Sequence, residues 1–335
     1  MTNTISDRKT VQAVNEAEDN EQEESSSQQI STDKVLKKMR TSVSRDQIRQ
    51  LNDLKVNVPN FLVIGAQKSG TTWLHANLKK HPEVLLPSGK KELEFFSYQS
   101  KLDSPSLSNY LSHFNKISHL LLRPRLPKAI GEATPSYFWS IDPSSSWANP
   151  PQGFNCDIPS SVANMLGQDI KLILCLRNPV LRAVSAYLHH VRFNRIDYTK
   201  QGILEVGHHF GIIDMGFYYK HLSAWLETFK LDNFKVLIYE RDIKKNKEKT
   251  LEDLCSFLDI NPLLFPASDS INEFHNKGIT YRITSDGVFV KTDDASDEGS
   301  LAIRQEELEA ISKIYRDDTS QLEKLLGSTI PEWKL

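Results

Sequence analysis

The sequence predicts a single α/β domain, and three observations carry that expectation. From Val58 onward strand-like and helix-like stretches alternate without a Gly-, Pro- or Ser-rich linker between them. Two short apolar runs, residues 61–64 and 172–176, are rich in β-formers, as strands buried on both faces are. The chain of 335 residues is 39% hydrophobic, ample for a large core. Its length alone allows about two domains at roughly 150 residues each, but the unbroken alternation favours one.

Composition removes several classes of function. Lys and Arg number 41 against 43 Asp and Glu, a net charge of -2. General nucleic-acid or membrane-surface binders need a basic excess instead. Cys156, Cys175 and Cys255 form neither a metal-ligand spacing nor a disulfide framework, so a reducing, cytoplasmic location is expected. The apolar runs fall far short of the ~20 residues of a membrane span, and the polar start leads to the expectation of no secretory signal. Residues 16–32 are acidic and rich in Ser and Gln, with almost nothing to bury, so residues 1–55 are expected to form a disordered tail. Within it, 33–54 carries apolar residues at loosely helical spacing and reads either as a short docking helix or as solvated chain. The folded domain is expected over 56–335.

The first strand runs into Gly65-Ala66-Gln67-Lys68-Ser69-Gly70-Thr71-Thr72, and a helix carrying Trp73, Leu74 and Leu78 follows. Strand, glycine-flanked loop with lysine, then helix is an arrangement that holds a phosphate. Backbone N–H groups and the helix dipole face the anion, and the lysine adds charge. It is not a Walker A loop, because the lysine precedes the second glycine and no Walker-type magnesium ligand is evident. The second strand ends at Arg177, followed by Asn178 and Pro179, residues suited to the N-cap and first position of a helix. An arginine fork there can grip a phosphate with two charge-assisted bonds, and Ser185 can complete the shell. Arg182 has no such placement and reads as structural.

The loop at 65–74 resembles the 5′-phosphosulfate loop of sulfotransferases that use 3′-phosphoadenosine 5′-phosphosulfate (PAPS), and the 177–187 segment is similar to their 3′-phosphate motif. Lys90-Lys91-Glu92-Leu93-Glu94-Phe95-Phe96 resembles the Lys-Glu-x-x-Phe-Phe stretch of the heparan sulfate and bacterial branch, and the 216–225 helix and 235–240 strand match that branch too. The resemblance implies a P-loop-like three-layer fold, a central parallel sheet flanked by helices, with PAPS as donor, 3′-phosphoadenosine 5′-phosphate (PAP) as product and no metal cofactor. It implies that Lys68 meets the 5′-phosphate and the leaving oxygen, that Ser69, Gly70, Thr71 and Thr72 supply donors, that Arg177 and Ser185 hold the 3′-phosphate, and that Glu92 is the base. A carboxylate in that role needs an apolar setting, for which Leu93, Phe95 and Phe96 are candidates. Glu94 lies outside the family pattern and reads as structural.

Departures bear on the acceptor. Ala133 stands where the glycosaminoglycan enzymes carry a lysine, in Glu132-Ala133-Thr134-Pro135-Ser136-Tyr137. Trp73 follows the habit of the animal cytosolic branch, whose base is a histidine; His189 and His190 follow the phosphate helix, yet no spacing singles out either. Asp286-Gly287 between alternating β-formers predicts a hairpin. The basic loop that relatives place after it is replaced by the acidic 291–298 stretch, leaving Lys277, Gly278 or Arg282 as substitutes over the nucleotide. Residues 300–326 read as a packing helix, or two. The acceptor is expected to be a hydroxyl of a sugar, glycolipid or polysaccharide. Alternatives are a β-hydroxyacyl or polyketide intermediate on a carrier protein docked through the tail, a P-loop nucleotide kinase, or a non-catalytic nucleotide-binding protein.

Overall fold

The computed structural model describes residues 57–115, 126–265, 281–283, 289–291 and 303–333, apart from positions 88, 143 and 199. The chain enters the sheet at β1 (Phe61–Gly65), turns into α1 (Thr71–Leu78) and returns through the short β2 (Val84–Leu85). Helix α2 (Ser104–Ser112) leads towards β3 (Ala129–Ala133), and α3 (Ile158–Leu166) precedes β4 (Lys171–Leu176). Helices α4 (Pro179–Arg192) and α5 (Tyr218–Leu226) lead to β5 (Phe234–Ile238), followed by α6 (Lys247–Leu258), the hairpin strands β6 (Tyr281–Ile283) and β7 (Phe289–Lys291), and the long α7 (Gln305–Leu326).

The main sheet is parallel throughout, in the order β2-β3-β1-β4-β5. Alternate residues of the central strands serve opposite layers. Leu62, Ile64, Leu172 and Leu174 join the core under α3 and α5, while Phe61, Val63, Ile173 and Cys175 join the core under α1 and α6. Both faces are therefore covered by helices, as the continuous apolar runs require. Close strand approach has its own demand: a Cβ at Gly131 would lie 2.3 Å from the Phe61 carbonyl oxygen. A third cluster packs α7 (Leu308, Ile311, Tyr315) on α4 (Val180, Ala183, Val184).

The predicted hairpin forms as an antiparallel pair, Tyr281 opposite Lys291 and Ile283 opposite Phe289. The last helix begins at Gln305 rather than 300. β5 stops at Ile238 instead of running to Glu240, because the Asp242 carboxylate accepts the Ile238 N–H at 2.6 Å and residues 239–243 coil into a π-turn. The tail 1–55, Lys277 and Gly278 lie outside the described residues. The three cysteines are free thiols, Cys175 and Cys255 buried.

Candidate active site

Order β2-β3-β1-β4-β5 reverses direction between β1 and β4: the chain leaves β1 towards β2 and β3 on one side, then crosses to β4 on the other. In open α/β sheets the crevice at the carboxyl ends of such a pair is where ligands bind. The 65–72 loop rises from β1 there, and Arg177 closes β4 beside it.

The loop is shaped by left-handed backbone at Lys68 (φ 69°) and Gly70 (φ 94°). Gly70 is also crowded; a Cβ there would lie 2.8 Å from the Tyr239 ring and 2.9 Å from Ile243. Tight packing and positive φ together reserve this position for glycine. Gly70 is the N-cap of α1 with no side-chain cap, so the first N–H groups of the helix carry no capping side chain. Arg177 donates through Nη1 to the Lys68 carbonyl at 3.3 Å, while its guanidinium lies 5.2 Å from the centroid of the Tyr239 ring. Its backbone N–H and C=O both meet the Tyr218 hydroxyl, at 3.4 and 2.8 Å. The buried Arg177 Nε has no hydrogen-bond partner among the described residues. An orphaned guanidinium donor at a helix start is suited to an anion such as a phosphate.

Asn178 caps α4 through Oδ1, which accepts from Val180 N and Leu181 N at 3.0 and 3.1 Å, and Pro179 opens the helix as the sequence predicts. Ser185 lies one turn further than Arg182 along the same helix, half-buried. Arg182 is fully buried and donates to the carbonyls of Gly211 and Ile212. Burial first, then the charges of Arg177, Arg182 and Lys91, pull the Lys68 ammonium down to about 8, with Glu92 pulling the other way. Lysine and arginine side chains thus concentrate positive charge on a protein whose net charge is negative.

Lys91 was legible only as a companion to Glu92, yet it reaches the loop itself. Its Nζ lies 3.5 Å from Thr71 Oγ1, 3.4 Å from Thr72 Oγ1 and 3.0 Å from Glu92 Oε1. Glu92 is thereby held at the mouth of the phosphate loop, its side chain 44% exposed. Leu93, Phe95 and Phe96 turn away into the core, with Phe95 stacked on Tyr110 at 4.3 Å, so they are not the setting of that carboxylate. They anchor its backbone instead. Phe95 N donates to the Tyr137 hydroxyl at 2.9 Å and Glu94 N to Thr134 Oγ1 at 3.3 Å. Both hydroxyls donate in turn to Glu132, at 2.7 and 2.6 Å. Glu132 is fully buried at the sheet's carboxyl end, and burial pushes its carboxyl above the usual range. Glu94 sits in left-handed backbone and pairs with Lys90 and Lys101 at 3.6 and 4.0 Å, a structural arrangement.

The two histidines separate here. His190 stacks on Phe210, ring centroids 4.2 Å apart. Burial holds both rings down to about 4, so both are neutral at physiological pH; the Lys68 charge acts on each, and that of Glu92 on His189.

A strand-loop-helix cradle at the switch point of a parallel sheet, with lysine and arginine around it, has the build of a P-loop-like transferase. The sulfotransferase domain model matches residues 58–277, and the chain belongs to that family. A crystal structure of a sulfotransferase from Alicyclobacillus acidocaldarius shares the fold, with a TM-score of 0.58 at 22% identity over 83% of this chain and 99% of that one. Among curated proteins, the membrane-associated sulfotransferase kil1 of Dictyostelium discoideum is 27% identical over 61% of this chain and 56% of its own length. The human heparan sulfate glucosamine 3-O-sulfotransferase 5 is 26% identical over 60% and 53%. A Caenorhabditis elegans bifunctional heparan sulfate N-deacetylase/N-sulfotransferase 1 is 25% identical over 84% of this chain but 32% of its own. The chain thus spans between about a third and a little over half of these relatives. No helix among the described residues is long and apolar enough to cross a membrane.

Proposed function

We propose that this chain transfers a sulfuryl group from PAPS to a hydroxyl of a carbohydrate or glycolipid, releasing PAP. One observation carries the reading: Arg177 at the end of β4 meets the Lys68 loop at the end of β1, while Lys91 and Glu92 border the Thr71 and Thr72 hydroxyls of that same loop. A nucleotide phosphorylated at both ends suits such a cradle. The carbohydrate acceptor is supported by the names of the relatives; the free cysteines suit a reducing, cytoplasmic setting.

In this reading Arg177 and Ser185 take the 3′-phosphate, and Lys68, Ser69, Gly70, Thr71 and Thr72 take the 5′-phosphosulfate. Glu92 accepts the acceptor's proton as the oxygen attacks sulfur. The bond from sulfur to the bridging oxygen breaks, and its electron pair stays on the 5′-phosphate of PAP, where Lys68 and Lys91 stabilise the charge. These ammonium groups do the electrostatic work that magnesium does in phosphoryl transfer. Lys277 and Gly278 are proposed to cover the nucleotide. The test is transfer of labelled sulfate from PAPS to unsulfated heparosan oligosaccharides and to simple glycolipids. Glu92→Gln is expected to lower turnover on the active acceptor by about 10²- to 10⁴-fold with PAP affinity unchanged. Retained turnover in that variant contradicts the assignment of the base.

A further inference from the structure

The 3-10 turn Pro331–Trp333, which follows α7, reaches back over the start of α4. Trp333 is buried there and makes polar contacts at both ends of its residue. Its backbone carbonyl accepts from Asn178 Nδ2 at 3.0 Å. Its indole Nε1 donates to Glu240 Oε2 at 3.1 Å, and the other oxygen of that carboxylate accepts the Asn178 N–H at 3.2 Å. The indole ring also lies 5.6 Å from that of Tyr218, whose hydroxyl holds the backbone of Arg177.

Glu240 accepts from the backbone N–H of Asn178, the residue after Arg177, and its chain neighbour Tyr239 faces the Arg177 guanidinium, so its carboxylate is a natural rival for that group. Charge-assisted pairing with a carboxylate is the same chemistry that grips a phosphate, and an arginine already paired has less to offer a ligand. Among the described residues Glu240 forms no ion pair with Arg177; its two oxygens are instead directed to the Trp333 indole and the Asn178 N–H. Arg177 turns its guanidinium to the Lys68 carbonyl and the Tyr239 face instead.

We propose that Trp333 is a positioning residue of the nucleotide site, holding Glu240 away from Arg177 so that the guanidinium stays free for the donor's phosphate. The inference rests on the PAPS reading. It predicts that Trp333→Phe, which keeps an aromatic ring on Tyr218 but removes the indole donor, weakens PAP binding by about five- to tenfold. Adding Glu240→Gln to that variant restores affinity, because the competing charge is gone. A role in packing alone does not predict the rescue.

The experiment is calorimetric titration of PAP into wild-type protein, W333F, E240Q and the double variant, with the ligand-free melting temperature of each recorded. The supporting pattern is weaker binding by W333F, recovery in the double variant, and binding by E240Q as tight as wild type or tighter. Wild-type affinity in W333F overturns the inference, as does a loss that E240Q fails to repair. If W333F does not fold, E240Q alone decides: binding weaker than wild type overturns the proposal. Failure of the wild-type protein to bind PAP instead overturns the donor reading, and this inference falls with it.

Discussion

At the scale of single residues, Lys68 ties the site to pH. Its ammonium is held down to about 8 by burial and neighbouring cations, and a bound phosphate favours its charged form. On the PAPS reading, binding is expected to take up protons above pH 8, with affinity for PAP falling as pH rises beyond 8. Calorimetry in buffers of different ionisation enthalpy measures both effects; affinity that rises above pH 8 contradicts this. Tyr137 acts through geometry. Its hydroxyl joins Glu132 to the backbone of Phe95, three residues beyond Glu92. Tyr137→Phe leaves a buried carboxylate oxygen and an N–H short of a partner, costing about 1–3 kcal/mol, and is expected to lower turnover more than PAP affinity. The strand-loop-helix pattern around Lys68 and the strand end at Arg177 are legible in the sequence as phosphate-binding positions, while Glu92 is singled out only by the resemblance. The reach of Lys91 to Thr71 and Thr72 and the stacking of His190 depend on contacts across 19 to 20 residues and on burial. Neighbouring letters do not encode either.

Among the elements, helix ends carry clear local signals. Asn178-Pro179 announces α4 and forms the cap as expected. Asp103 before Ser104-Pro105, and Asp157 before Ile158-Pro159, use the same device, each aspartate accepting the N–H three residues on. Those two caps are equally legible in the sequence, although they stand in stretches with no functional pattern. Helix α5 could not be read this way, because its cap comes from elsewhere in the chain: Asp318 of α7 accepts from Tyr219 N and Lys220 N, both at 3.0 Å. Burial pushes this carboxyl up to about 6 against an ordinary value of 3.8. A raised carboxylate pKa means that ionising Asp318 costs stability as pH rises towards 6. Asp318→Asn keeps an oxygen acceptor without the charge, so its melting temperature relative to wild type should climb between about pH 4 and pH 6 and level off above that. A difference that shrinks over that range refutes this account of the cap.

At the scale of the whole molecule, the alternation of apolar runs and helices predicts one α/β domain with strands buried on both faces, the parallel central sheet is what the resemblance implies, and the structure has both. Strand order was not legible, because nothing local says on which side of β1 the next strand will pair. That order creates the crevice in which Lys68 and Arg177 meet. It also sets a cationic site within a chain of net charge -2. PAP affinity is therefore expected to fall by at least about tenfold between 50 and 500 mM NaCl, as screening shortens from ~14 Å to ~4 Å, and titrations across that range test it. The central claim is that this crevice binds a nucleotide phosphorylated at the 3′ position. The most direct measurement is thermal stability of the wild-type protein and Arg177→Ala with PAP, with ADP, and with ATP plus magnesium. At 100 times its dissociation constant a ligand adds ~2.7 kcal/mol of stability. The account predicts a raised melting temperature with PAP alone, abolished by Arg177→Ala. Equal or greater stabilisation by ATP with magnesium would contradict it.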